Sequence, residues 1–207
     1  TQRGVRWVGY SDFTAFQLAM LAAGGAHSIA GPSFSWDFGR PEPDAYTVAS
    51  FEAALSNRPA EIGLAGANRQ LLGQAEELRG TLWGGTLTMV AGLVGTPYFP
   101  AIDGGLLFLE DVAEHPYRIE RMLHQLHYAG VLARQRAIIL GAFTAWRPSG
   151  HDNGYDFDAM VGYWRERIAT PIVTGLPFGH VDQKASLEVG RDYRLTGAGD
   201  SLVLAAC

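Results

Sequence analysis

Apolar residues fall along this chain in two recurring patterns, short unbroken runs and stripes at helical spacing. Near the start, a β-rich run over Arg6-Trp7-Val8-Gly9 gives way to an apolar stretch from Phe13 to Ala22 that predicts a helix. Ala26 to Ala30 predicts a short strand ended by Gly31-Pro32. Tyr46 to Ser56 predicts a second helix, with Val48, Phe51, Ala54 and Leu55 on one face and Asn57-Arg58-Pro59 as its stop. From Ala60 to Gly80 there is no firm period, which predicts a linker with connecting strands.

The second half is more regular. Thr81-Leu82-Trp83-Gly84-Gly85-Thr86 predicts a glycine turn opening a helix over Leu87 to Leu93, which Gly95-Thr96-Pro97 ends. Leu106-Leu107-Phe108-Leu109 is apolar throughout, the mark of a strand buried on both faces, and Glu110-Asp111 follows at once. Pro116 to Ala129 predicts an amphipathic helix with Ile119, Met122, Leu123 and Leu126 inward, closed by Gly130. A strand over Ala137 to Leu140, a helix over Phe157 to Arg167 and a strand over Pro171 to Thr174 complete the alternation. This order specifies an α/β fold with a mainly parallel sheet covered by helices. Chemistry in such sheets collects beyond the carboxyl ends of the strands, where Glu110 and His180 stand.

Composition narrows the class of partner. The chain has 207 residues, 47% of them hydrophobic, which is ample for a buried core. Its net charge of −5 has no basic block behind it, so no electrostatic footprint for nucleic acid exists and a small or peptide substrate is expected. The single cysteine, Cys207, excludes an internal disulfide framework and any cysteine-based zinc site, and fits a reducing compartment. No run is long enough to span a bilayer, and Thr1-Gln2-Arg3-Gly4 does not open a signal peptide. With no Met and an immediate strand, the chain is expected to begin inside a domain.

Three polar residues suit nucleophilic catalysis. Ser11 falls where a strand meets a helix, the placement of a nucleophile elbow, although Phe13 stands where the usual G-x-S-x-G has its second glycine. His180 is suited to take the serine proton, and Glu110 to orient the imidazole and stabilise its cation. Simpler roles are also open: Ser11 as a helix N-cap, Glu110 as a first-turn acid and His180 as a loop histidine. His124 and His127, with His115 nearby, lack a third metal ligand at suitable spacing and read as a solvated helix face. Asp152, Asp156 and Asp158 lack the closing Glu of a calcium loop and read as a surface loop with a helix N-cap. Gly84-Gly85 is too short for a phosphate cradle, and Trp83 is expected to flank the cleft.

Several motifs occur in order: Gly9-Tyr10-Ser11-Asp12-Phe13-Thr14-Ala15, Leu82-Trp83-Gly84-Gly85-Thr86-Leu87, Gly95-Thr96-Pro97, Leu107-Phe108-Leu109-Glu110-Asp111, Tyr117-Arg118-Ile119-Glu120-Arg121-Met122-Leu123 and Gly175-Leu176-Pro177-Phe178-Gly179-His180. Together they resemble the LD-carboxypeptidase family of serine peptidases, from about Arg6 to the C-terminus. The resemblance implies release of terminal D-alanine from a murein tetrapeptide, at its bond to lysine or meso-diaminopimelate, during cytoplasmic recycling of cell-wall fragments. It makes Ser11 the nucleophile, His180 the general base, Glu110 the orienting carboxylate and the Asp12 N–H one oxyanion donor. Tyr10, Trp83, Gly84, Gly85 and Thr86 are expected to bind substrate; the family usually has Asn in place of Thr86.

No metal or organic cofactor, no nucleic acid and no membrane is implied, and a homodimer is expected. A related branch of the family hydrolyses aminoacyl-nucleotide conjugates of the microcin C type, and a non-catalytic peptide-binding protein is the alternative from another class. A glutamine-amidotransferase-like hydrolase would need a cysteine at the elbow. The implied architecture has two domains: a partial N-terminal Rossmann-like α/β domain over residues 1–60 carrying the elbow, a linker over 61–80, and a C-terminal α/β domain over 81–207 carrying Glu110 and His180. Family members have further strands before the nucleophile strand and a second oxyanion donor there, so the chain is expected to be a fragment or to be completed by another chain.

Overall fold

The computed structural model describes residues 4–56, 58, 61–66 and 69–207. Asn57 and Pro59, in the expected stop of the second helix, lie outside the described residues. In chain order the first elements are β1 (Val8–Gly9), α1 (Phe13–Gly24), β2 (Ser28–Ala30), a single π-helical turn (Phe34–Phe38), α2 (Ala45–Leu55) and β3 (Glu61–Leu64). A 3-10 turn (Arg69–Leu72), β4 (Glu77–Thr86), α3 (Leu87–Gly92), β5 (Leu106–Val112), α4 (Pro116–Tyr128) and a second 3-10 turn (Leu132–Arg134) follow. The chain then runs through β6 (Ala137–Thr144), α5 (Phe157–Arg167), β7 (Ile172–Val173), β8 (Leu187–Val189), β9 (Asp192–Ala198) and β10 (Ser201–Ala206). Among the described residues no helix is long and apolar enough to cross a membrane.

The larger sheet has the order β3-β10-β9-β4-β5-β6-β7. Strands β4 to β7 are parallel, as the alternation of strands and helices predicts, and β9, β10 and β3 add an antiparallel flank. The unbroken apolar run of β5 is explained by its two buried faces. Leu106 and Phe108 pack with Ala30, Leu187 and Val189 of the smaller sheet, while Leu107 and Leu109 pack with Val90, Ile119, Leu123, Met160 and Trp164 of the helices. Each such side chain contributes about 1.5–3 kcal/mol by leaving water.

Residues 81–86 differ from expectation. They are the last six residues of the ten-residue strand β4, not a turn. Glu77 to Thr81 pair antiparallel with β9, and Leu82 to Thr86 pair parallel with β5. Gly85 takes φ +138°, and a Cβ there would lie 2.4 Å from Thr14 Oγ1, so glycine is required for α1 to approach the strand. The glycine pair therefore marks close packing and reads misleadingly as a turn.

The inward face of α2 also differs. Thr47, Ser50 and Ala54 are buried, whereas Leu55 is exposed. The two hydroxyls serve the chain after His180: Thr47 Oγ1 donates to the Asp182 carbonyl and accepts from Lys184 N–H, and Ser50 Oγ accepts from Ser186 N–H. Hydrogen bonding to the irregular backbone of residues 182–186, together with burial of Ala54, sets that face.

The smaller sheet is β1-β2-β8, with β1 parallel and β8 antiparallel to β2. Its third strand thus comes from nearly 160 residues further along the chain than β2, as the register Ile29 to Glu188 shows (188 − 29 = 159). Strand β2 thus lies between this C-terminal segment and β1, the strand that leads to Ser11.

Candidate active site

Ser11 stands between β1 and α1 with φ +63°, in the left-handed region that side-chain-bearing residues seldom occupy. A strained serine between strand and helix is the geometry of an elbow. Gly9 makes room for it: a Cβ there would lie 2.5 Å from the Phe13 ring, so Phe13 folds back over the strand end. Asp12 is the first residue of the turn into α1, and its side chain makes no capping bond.

His180 lies beyond β7, at the end of a loop that crosses back over the parallel strands. Its Nε2 is 3.1 Å from Ser11 Oγ, and its Nδ1 is 2.9 Å from Glu110 Oε2. Glu110, on β5, has no solvent exposure. Its second oxygen, Oε1, accepts a 2.5 Å hydrogen bond from Thr86 Oγ1 at the end of β4. A buried carboxylate whose two oxygens both have donors is a tolerable charge. The next residue, Asp111, turns to the opposite side and accepts from Thr88 N–H and Oγ1 at the start of α3. Burial pushes the Asp111 carboxyl above the ordinary range, with the Thr88 bonds opposing that shift.

Ser11 and His180 open onto a cavity of about 670 Å³ whose walls include Tyr10, Phe13, Phe34 and Phe38. Tyr10 packs edge-on against His180, with ring centres 5.0 Å apart. Lys184 Nζ lies 3.8 Å from the Tyr10 ring centre and bonds both oxygens of Asp37 at 2.9 and 3.0 Å, with both side chains buried. Asp37 belongs to the turn that carries Phe34 and Phe38, so the ion pair ties a cavity wall to the loop after His180.

The structure thus brings together Ser11, His180, Glu110, Asp12, Tyr10 and Thr86. It does not bring Trp83 to the cleft. Trp83 is fully buried on the helix side of β4, and its Nε1 donates to Gln135. Alternation along a strand sends it to the face opposite Leu82. Gly84 packs against the β5 backbone, since a Cβ there would fall 1.9 Å from the Phe108 carbonyl oxygen. The histidines of α4 differ from the expected solvated face: His124 and His127 pack on Trp164. His115 turns elsewhere, to Asp152 at 3.0 Å. Asp156 caps α5 by accepting from Ala159 N–H, as read from the sequence. Thr14, Asp37 and Lys184 went unnoticed in the sequence. Lys184 had a signal, since it is the chain's only lysine.

Residues 79–195 match the family described as LD-carboxypeptidase C-terminal domain. A crystal structure of muramoyltetrapeptide carboxypeptidase from Oxalobacter formigenes superposes with a TM-score of 0.90 at 42% identity, over 99% of this chain and 70% of that one. The "Probable murein peptide carboxypeptidase" of Bacillus subtilis is 28% identical over 96% of this chain. The chain spans 62% of that relative's length. The microcin C7 self-immunity protein MccF shares the fold at 20% identity and a TM-score of 0.80, over 97% of this chain and 67% of that one. With the strand order, the elbow and the family match spanning more than half its length, the chain belongs to the LD-carboxypeptidase family of serine peptidases.

Proposed function

We propose that the protein is a serine LD-carboxypeptidase that releases terminal D-alanine from murein tetrapeptide, with Ser11 as nucleophile, His180 as general base and Glu110 as orienting carboxylate. The observation that carries this reading is the pair of distances at His180, 3.1 Å to Ser11 Oγ and 2.9 Å to Glu110 Oε2. Both lie within proton-transfer reach, which favours catalysis over peptide capture alone.

In the first step Ser11 Oγ attacks the carbonyl carbon of the bond to D-alanine while its proton passes to His180 Nε2. The carbonyl oxygen becomes an oxyanion, for which the Asp12 N–H is one donor. Collapse of the tetrahedral intermediate breaks the C–N bond, and His180 Nε2 returns the proton to the departing amine. Water then attacks the acyl-serine, giving its proton to His180, and Ser11 leaves with that proton. Glu110 stays ionised throughout and pairs with the imidazolium each time it forms. No step requires a metal or an organic cofactor.

The substrate class is supported by the names of the relatives, and the cavity falls within the size range of small-ligand sites. The test is D-alanine release from murein tetrapeptide by the full-length protein. Ser11→Ala is expected to lower kcat by roughly 10⁴-fold while the far-ultraviolet circular dichroism stays unchanged. Undiminished release in that variant would overturn the assignment.

A further inference from the structure

We propose that Thr86 and Thr14 are positioning residues that close a ring of hydrogen bonds through the reacting groups, and that Thr86 acts on Glu110 rather than on substrate. The inference rests on the roles proposed above for Ser11, His180 and Glu110. Starting at the serine, Ser11 Oγ meets His180 Nε2 at 3.1 Å, and His180 Nδ1 meets Glu110 Oε2 at 2.9 Å. Glu110 Oε1 accepts from Thr86 Oγ1 at 2.5 Å. The Thr86 N–H donates to Thr14 Oγ1 at 3.2 Å, and the Thr14 N–H donates to the Ser11 carbonyl at 2.9 Å, which returns the ring to its start.

Each member follows from chemistry. An ionised carboxylate has no proton to give, so the Thr86 hydroxyl must be the donor. That charge-assisted bond fixes one oxygen of a fully buried carboxylate and leaves the other aimed at the imidazole. Thr86 and Thr14 are 6% and 1% exposed, which places their hydroxyls out of reach of a solvent-borne substrate. Thr14 lies one helical turn after Ser11, so its N–H is placed to hold the serine carbonyl in the strained turn. Gly85 permits the ring by letting α1 reach the end of β4. The position of the carboxylate on β5 is thereby coupled to the turn that presents the nucleophile.

The variants are Thr86→Val, which keeps the shape and removes the donor, and Thr86→Ser, which restores it. For D-alanine release by the full-length protein, Thr86→Val is expected to lower kcat about 10–100-fold with KM changed less than about twofold. Thr86→Ser is expected to recover activity to within about threefold of the wild type.

Thr14→Val is expected to lower kcat as well, and the double variant to lose less than the product of the two single losses, because both break one ring. Unchanged kcat in Thr86→Val, or a rise in KM alone, would overturn the inference. Should Thr86→Val fail to fold, Thr14→Val decides it, with an unchanged kcat counting against. Ser11→Ala and Glu110→Gln, run alongside, separate the two levels. Full activity in those variants refutes the underlying reading, whereas their loss beside an unaffected Thr86→Val refutes only the ring.

Discussion

Ser11 pays for its φ of +63° in backbone strain, about 1–2 kcal/mol for a residue with a Cβ. The usual order of stability between alanine and glycine should therefore reverse there. Ser11→Gly is expected to be more stable than Ser11→Ala by about 1 kcal/mol in urea titrations, although both lack the hydroxyl. Ala equal to or better than Gly would mean that the turn stores no strain. The elbow was legible because a β-rich run, a glycine and a serine preceded an apolar helix. What hid it was Phe13 in place of a glycine, and the reason is spatial, since the Phe13 ring occupies the room that Gly9 leaves. Trp83 shows the opposite failure. Its neighbours read as a turn, yet strand alternation buries it against Gln135.

Elements joined by polar contacts were the least legible, because periodicity reports apolar faces and is silent about partners. Helix α4 was found almost to its ends, with Ile119, Leu123 and Leu126 inward as their spacing requires. Helix α2 was found, but its buried line is shifted from Val48, Phe51 and Leu55 to Thr47 and Ser50, with Ala54 common to both, since Thr47 and Ser50 are held by the 182–186 backbone. The same segment supplies Lys184, whose pairing with Asp37 fastens the turn over residues 34–38 to the loop behind His180. Lys184→Met is expected to destabilise the protein by about 3–5 kcal/mol, because it strands a buried carboxylate. The double replacement Lys184→Met with Asp37→Leu is expected to recover much of that loss. Thermal or urea unfolding measures both, and a single variant as stable as the wild type would deny the pair its structural part.

For the whole molecule, the α/β class and the parallel strands β4 to β7 followed from the alternation of apolar runs and amphipathic stripes. The antiparallel flank did not: β9 and β10 form a local hairpin with each other, but β9 joins the sheet on β4, more than 100 residues earlier, and β10 pairs with β3 in the aperiodic stretch. Strand β8 has a further consequence. It completes the smaller sheet at Val189, and only Gly190 and Arg191 separate it from β9 of the larger one. Both of those residues bond Leu82 on β4: Gly190 N–H donates to its carbonyl, and Arg191 carbonyl accepts from its N–H, each at 2.8 Å. A link that short and that well bonded leaves neither sheet able to melt without disturbing the other, which is the condition for cooperative unfolding. Scanning calorimetry is expected to give one transition with equal calorimetric and van't Hoff enthalpies, and two resolved peaks would refute the coupling. Heat would then abolish activity and structure along a single curve, with no partly melted species in which one sheet survives the other.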